Sequence, residues 1–454
     1  MTPLLATVLA LSPSLQQPLV QPNAELQAVD PPARLTINGS KLLEPSGEDI
    51  RLLGFNWQIT HQNLDTDAAG VNMAQELTKV APGANTVRLV GILWGNTPSY
   101  FQSPSQLLGS HISECMTDEP PYYFKEKCFD RLDAWVKQAT DAGLWVILAL
   151  RGEYVAGQDF YDRPGTVVFR NETLREMMYA MWAHVAEHYS TFERIAAYEI
   201  LSEPRDKAIG SDVVNDFYAG GCAAVQAVDP RTPCIVGTRP YYKLYTVDEN
   251  YLIKNNSNVI YTFDYFNPEN FVFGRGMAYN QKYPCKDLYK GFAFDVCSTW
   301  GVSSNEPISF DRVWHEHNIA TFLGQYEDRV PIFANQWDVV YGVSVEQGRY
   351  AYMSDFMSVM ADHGMGWCWW VAFGGNSGNT FSKGSSEVIF RLTNGSYMLD
   401  QAALDTMAPF LQPQAPPPPS PPPDACQSWC AGHDKPWDIK CYWQSCNACS
   451  ECDS

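Results

Sequence analysis

Glu203, in Ser202-Glu203-Pro204 at the end of an apolar run, is the residue best suited here to deliver a proton to a leaving group. Proline directly after it, and a buried strand before it, place its carboxyl at a rim rather than on a solvated helix. Further chemistry-bearing residues end other apolar runs: Asn56-Trp57, Arg88, Arg151-Gly-Glu153, Asp264-Tyr265-Phe266, Asn335-Gln336-Trp337-Asp338 and Trp369-Trp370. One acid, several flat rings and amides around one mouth suit an ordered sugar. Rings stack on pyranose faces, polar groups bond hydroxyls, and the acid protonates the bridging oxygen. Each residue also has an ordinary reading. Arg88 can orient a carboxylate through a forked contact. Glu153 and Asp264 can serve as loop or network carboxylates, and Asn56, Trp57 and Trp94 can pack the mouth. His315-Glu316-His317 suits a metal on a strand, but it lies in a helical pattern, where i and i+2 diverge. No metal or cofactor is expected.

The elements that must position these residues alternate along the chain. Short apolar runs predict strands at Arg51–Trp57, Thr86–Trp94, Leu144–Leu150, Ile195–Leu201, Cys234–Thr238, Val259–Phe263, Val330–Ala334 and Gly366–Phe373. Apolar residues at helical spacing predict helices at Phe129–Ala142, Leu174–Tyr189, Asp212–Val228, Phe310–Tyr326 and Val345–His363, with a last one at Asp400–Leu411. Strands that are apolar throughout and separated by helices imply a parallel sheet covered on both faces. Eight such units predict an α/β fold, a (β/α)8 TIM barrel over residues 34–411, with a doubly wound open sheet as runner-up. No G-x-G-x-x-G follows the first strand, which weakens a nucleotide-binding reading. In a closed barrel the site lies at the C-terminal strand ends, where the residues above fall.

Charge and composition narrow the partner. The chain has 454 residues, with 31 Lys and Arg against 51 Asp and Glu, a formal charge of −20. Such a surface argues against nucleic acid and anionic membranes. The aromatic share of 13%, with 14 Trp and 24 Tyr, suits a large core or a sugar-stacking cleft. Of 13 Cys, six (Cys426, Cys430, Cys441, Cys446, Cys449 and Cys452) crowd the last 29 residues. They predict a disulfide-rich module over 424–454, too small to fold on a core alone. Its three tryptophans, Trp429, Trp437 and Trp443, suit either that small core or a polysaccharide-stacking face. The proline run over 412–423 reads as an extended spacer. Cys115/Cys128, Cys222/Cys234 and Cys285/Cys297 form three near pairs, and Cys368 reads as a free core thiol. Residues 1–33 read as a leader with a weak signal-peptide pattern. Sequons at Asn38, Asn171, Asn255 and Asn394, together with the cysteines, predict a secreted, monomeric protein.

Over residues 34–411 the chain resembles glycoside hydrolase family 5, the cellulase-like (β/α)8 barrels. Gly54-Phe-Asn56 resembles the first-strand motif, and Thr86-Val-Arg88-Leu the second-strand arginine. Tyr198-Glu-Ile-Leu-Ser-Glu203-Pro204 looks like the fourth-strand motif, Pro331-Ile-Phe-Ala-Asn-Gln336-Trp337 the seventh-strand motif, and Trp369 or Trp370 the last-strand stacking tryptophan. The resemblance implies that Glu203 is the acid/base and position 336 the nucleophile, about 5–5.5 Å apart. It implies a β-linked polysaccharide as substrate, a glucan or mannan. Four positions depart from the family pattern: Ser202 for Asn, Arg151 for His, Asp264-Tyr265-Phe266 for His-x-Tyr, and Gln336 for the nucleophilic Glu. An amide cannot form and release a glycosyl ester as a carboxylate does. Three readings stay open: an engineered Glu→Gln change, another carboxylate in service (Glu153, Asp264 or Asp338), or a barrel that binds glycan without cutting it.

Overall fold

The computed structural model describes residues 32–58, 72–90, 126–151, 169, 172–204, 209–274, 282–285, 309–374, 386–391 and 397–411. The leader before residue 32, the proline spacer, the cysteine-rich module, Trp94 and Glu153 lie outside them. A small antiparallel sheet comes first: β1 (Thr36–Asn38), β2 (Lys41–Leu43) and β3 (Asp49–Ile50). Alternation follows through β4 (Leu53–Gln58), α1 (Met73–Val80), β5 (Thr86–Val90), α2 (Glu126–Asp141), β6 (Trp145–Arg151), α3 (Glu172–Tyr189), β7 (Ile195–Ser202), α4 (Ser211–Gln226) and β8 (Cys234–Gly237). Then come β9 (Val259–Tyr265), α5 (Glu269–Val272), α6 (Arg312–Leu323), β10 (Ile332–Trp337), α7 (Arg349–Asp362) and β11 (Gly366–Trp369). The described chain ends with β12 (Phe373–Gly374), β13 (Ile389–Arg391), β14 (Tyr397–Leu399) and α8 (Gln401–Leu411).

Strands β4 to β11 close in the order β10-β11-β4-β5-β6-β7-β8-β9, all neighbours parallel. The (β/α)8 expectation is met, and the open-sheet alternative is excluded by the closing β11–β4 pair. Alternation along each strand sorts side chains into two cores. Trp145, Ile147, Ala197, Ile235, Ile260, Phe333 and Cys368 fill the lumen. Val87, Val146, Leu148, Tyr198, Ile200, Val236, Tyr261 and Trp367 face outward into the core that includes the helices' buried residues. Leu35, Leu42 and Leu52 join the lumen cluster and floor it. Arg34 fastens that floor: its guanidinium donates to Thr232 Oγ1 at 2.6 Å and to Phe192 O at 2.6 Å, and lies 3.4 Å from Asp229.

Several boundaries differ from the sequence reading, for physical reasons. Strand β11 stops at Trp369, because the chain then turns and Phe373–Gly374 pairs with β13 in a separate sheet. Strand β10 runs on to Trp337, past the expected Ala334, because polar Asn335 and Gln336 lie in the ladder facing the lumen. Helix α7 begins at Arg349, not Val345, since Ser344–Gln347 forms a turn bonded through its own side chains. Helix α1 and the two small sheets were not expected; elements so short show too little periodicity.

Cys222 and Cys234 form a disulfide between α4 and β8, as their spacing suggested, with Cα atoms 5.8 Å apart. Cys285 is also disulfide-bonded, while Cys115 and Cys297 lie outside the described residues. Cys368 is a buried free thiol.

His363, at the C-terminal end of α7, is clamped by two carboxylates. Its Nε2 lies 2.8 Å from Glu316 Oε1, and its Nδ1 bonds Glu327. Burial alone would lower this imidazole, but the hydrogen bonds and charges of Glu316 and Glu327 outweigh it and raise the pKa from 6.5 to about 10. A raised folded-state pKa stabilises in full below pH 6.5 and less as pH climbs to about 10. Between those limits the protein should lose stability on the order of 2 kcal/mol, the carboxylates being partly exposed and screened. His363→Gln should flatten that slope in denaturant melts, and an equal slope in the variant would remove His363 as its source.

Candidate active site

The site stands on a buried polar layer in the upper lumen. Arg88 on β5 meets Glu199 on β7 in a forked ion pair, Nε to Oε2 at 2.6 Å and Nη2 to Oε1 at 2.7 Å, both side chains with 0% exposure. The two strands are alternate members of the barrel, whose inward residues share a layer. Arg88 also donates to Asn56 Oδ1 and to Ser202 Oγ, each at 2.7 Å. Asn56 passes the connection on, donating to Asn335 O at 2.7 Å, and Asn335 Nδ2 returns to Glu199 at 3.1 Å. Burial opposes the charge on Arg88, yet Glu199 overrides it and holds the guanidinium pKa above its usual value.

Above this layer three side chains converge. Glu203 follows β7 in a left-handed conformation, φ 47°, and is half-buried. Gln336 on β10 donates from Nε2 to Glu203 Oε1 at 2.7 Å and lies 3.4 Å from Asp264 Oδ2. Asp264 on β9 stands level with Gln336 in the strand register. Gln336 and Asp264 are each only 4% exposed. Strict alternation would turn Gln336 outward after Asn335. A bulge between Ala334 and Gln336 prevents this: Ala334 and Trp337 face the outer core, while the two residues between them face the lumen. Burial first, and then the negative charge of Glu203, push the Asp264 carboxyl well above the usual carboxylate range; protonated, it bonds Glu203. The proton that Asp264 holds thus faces Glu203.

The other expected residues are placed as follows. Ser202 accepts from Arg88 and is buried. Trp57, Tyr265 and Trp337 each follow an inward residue, and so point outward into the core. Trp57 packs at 4.6 Å from Trp135, Trp337 at 4.8 Å from Trp369, and Tyr265 bonds His315 Nδ1 at 2.8 Å. Trp370 is half-buried beyond the end of β11, whereas Trp369 is fully buried. Asp338 is buried and accepts a bond from Ser386 in the segment before β13. Arg151 ends β6 opposite Ser202 in register. Sequence reasoning missed Glu199 and Asn335 as parts of the layer. The available signal was a charge and an amide inside two apolar runs, matched by Arg88 in a third.

Residues 44–375 match the family described as Cellulase, glycosyl hydrolase family 5. No curated protein sequence matches the chain. Among solved structures, endoglucanase Cel5A from the hyperthermophilic Thermotoga maritima superposes with a TM-score of 0.53 at 17% identity, over 78% of this chain and 96% of that one. A broad specificity endoglucanase from Clostridum cellulovorans gives 0.54 at 14%, over 79% and 94%. The cellulose synthase subunit Z from Clostridioides difficile gives 0.51 at 17%, over 79% and 99%. At these identities the likeness is one of fold.

Proposed function

The chain belongs to the cellulase family, glycosyl hydrolase family 5, and on that premise we propose that it is a secreted glycosidase that cleaves a β-linked polysaccharide, a glucan or mannan, lying across the barrel mouth. Glu203 protonates the glycosidic oxygen. Asp264 is its partner carboxyl; it passes the proton it holds to Glu203 and, so ionised, takes the proton of the attacking water. The observation that carries this reading is the Gln336 amide, whose nitrogen reaches both carboxyls, at 2.7 Å and 3.4 Å. Asp264 is level with the residue that replaces the nucleophile. A pair holding one proton has an acid and a base together, which water-assisted glycoside cleavage requires. Half-buried Trp370 is proposed as a ring for a pyranose to stack on. The Cys222–Cys234 disulfide and the exposed sequons Asn38 and Asn255 support secretion. The tail over 424–454 is proposed as a tethered glycan-binding module.

A second reading, a barrel that binds glycan without cutting it, is favoured by one observation: the amide itself. The test is reducing-end release from β-1,4-glucan, β-1,3-glucan and mannan. The native protein should release product from one of them, Asp264→Asn should lower release by about 10²-fold, and Gln336→Glu should not raise it. A silent native protein that Gln336→Glu awakens, with retention of anomeric configuration, removes Asp264 from the mechanism. Silence of both forms, with glycan still retarding the protein in affinity gels, leaves binding as the function.

A further inference from the structure

We propose that Tyr241 and Tyr242, after β8, form a strap that sets the position of Glu203 relative to Asp264, which makes Tyr242 a positioning residue for the pair. The role rests on the reading of that pair given above, but its geometry stands apart from any activity. The strap grips the chain on both sides of Glu203. Tyr242 Oη donates to Leu201 O at 2.5 Å, two residues before it, and Tyr241 N donates to Pro204 O at 2.9 Å, one residue after it. The same strap holds the other carboxyl's backbone: Asp264 N donates to Tyr242 O at 2.7 Å. Two consecutive tyrosines therefore bond β7's end on one side and β9's end on the other.

The backbone supports a dedicated role. Tyr241 and Tyr242 are both left-handed, at φ 60° and 53°, like Glu203 itself at 47°. A side chain in that region costs on the order of 1 kcal/mol or more and persists only where its surroundings impose it. Here the surroundings do. Tyr242 is fully buried, and its hydroxyl lies 3.3 Å from that of Tyr218, which also donates to Leu201 O at 2.9 Å. The ring fits only because residue 237 is glycine. A Cβ there would lie 2.6 Å from Tyr242 Cδ1 and 2.8 Å from Thr262 O. The socket, the hydroxyl and the two backbone bonds form one device.

The test uses the full chain with carbon-13-labelled aspartate and follows the Asp264 carboxyl through a pH titration by NMR. Tyr242→Phe keeps the ring in its socket but frees Leu201 from one donor, and Gly237→Ala pushes on the ring itself. Both should move the Asp264 titration down toward the ordinary carboxylate range, because a loosened strap lets the Glu203 charge draw away. Tyr241→Gly keeps the N–H and relaxes the left-handed backbone, so it should titrate as the native protein does. If hydrolysis is found, Tyr242→Phe should lower kcat by about tenfold and leave KM unchanged. A folded Tyr242→Phe or Gly237→Ala protein whose Asp264 titrates as in the native chain overturns the strap, even if its melting temperature falls. Because titration needs no turnover, an inactive native protein would refute the proposed hydrolysis while leaving the strap to be judged by the carboxyl alone.

Discussion

Glu203→Gln should lower glycan hydrolysis by a factor on the order of 10²–10⁴, with glycan affinity largely kept. On the proposed mechanism the substitution preserves shape and removes the carboxyl that hands the proton to the bridging oxygen. The loss should depend on the leaving group. A sugar alkoxide needs protonation as the bond breaks, whereas an activated aryl glycoside leaves unaided and should suffer far less. The change also acts on Asp264. Burial raises that carboxyl first and the charge of Glu203 second, so removing the charge should move its titration down. The acid limb, which Asp264 as the base would govern, should shift to lower pH with it. Unchanged turnover on unactivated glycan in Glu203→Gln would remove Glu203 from the role of acid, whatever Asp264 does.

Arg88→Met should destabilise the barrel by about 3–5 kcal/mol, because it leaves Glu199 charged, fully buried and without its forked partner. It would also strip the donors from Asn56 Oδ1 and Ser202 Oγ, so the damage reaches the residue directly before Glu203. The double variant Arg88→Met with Glu199→Leu removes both charges and should recover much of the stability, since an apolar pair of similar volume is often no worse than a buried ion pair. It should not recover the placement of Ser202, which needs a donor. Denaturant unfolding measures the first effect and the rescue. Equal stability of the single and double variants would show that Glu199 is not the group left stranded.

By itself the sequence determined the barrel and the rim on which the chemistry must sit. Apolar runs such as Ile195–Leu201 and Val259–Phe263 are long enough, and free enough of turn residues, that only burial on both faces accommodates them. Their order then dictates that Glu203, Asp264 and Gln336 meet at one end. The amide at position 336 was legible for the same reason, since a residue's identity needs no coordinates. The tertiary structure alone decided which neighbours face inward. Asn56 and Trp57, Asp264 and Tyr265, Gln336 and Trp337 are adjacent pairs that a strand must split between lumen and outer core. Only the bulge at Ala334–Gln336 places Gln336 on the carboxyls' side. That bulge reflects pairing with two other strands, and no local pattern announces it. The partner of Arg88 was hidden likewise. Glu199 lies on β7 and Glu203 four residues further on, just past its end, and the choice between them depends on how far the barrel's stagger lifts each one relative to β5. Closure of a sheet is a long-range event, and so the depth at which each charge comes to rest belongs to the fold as a whole.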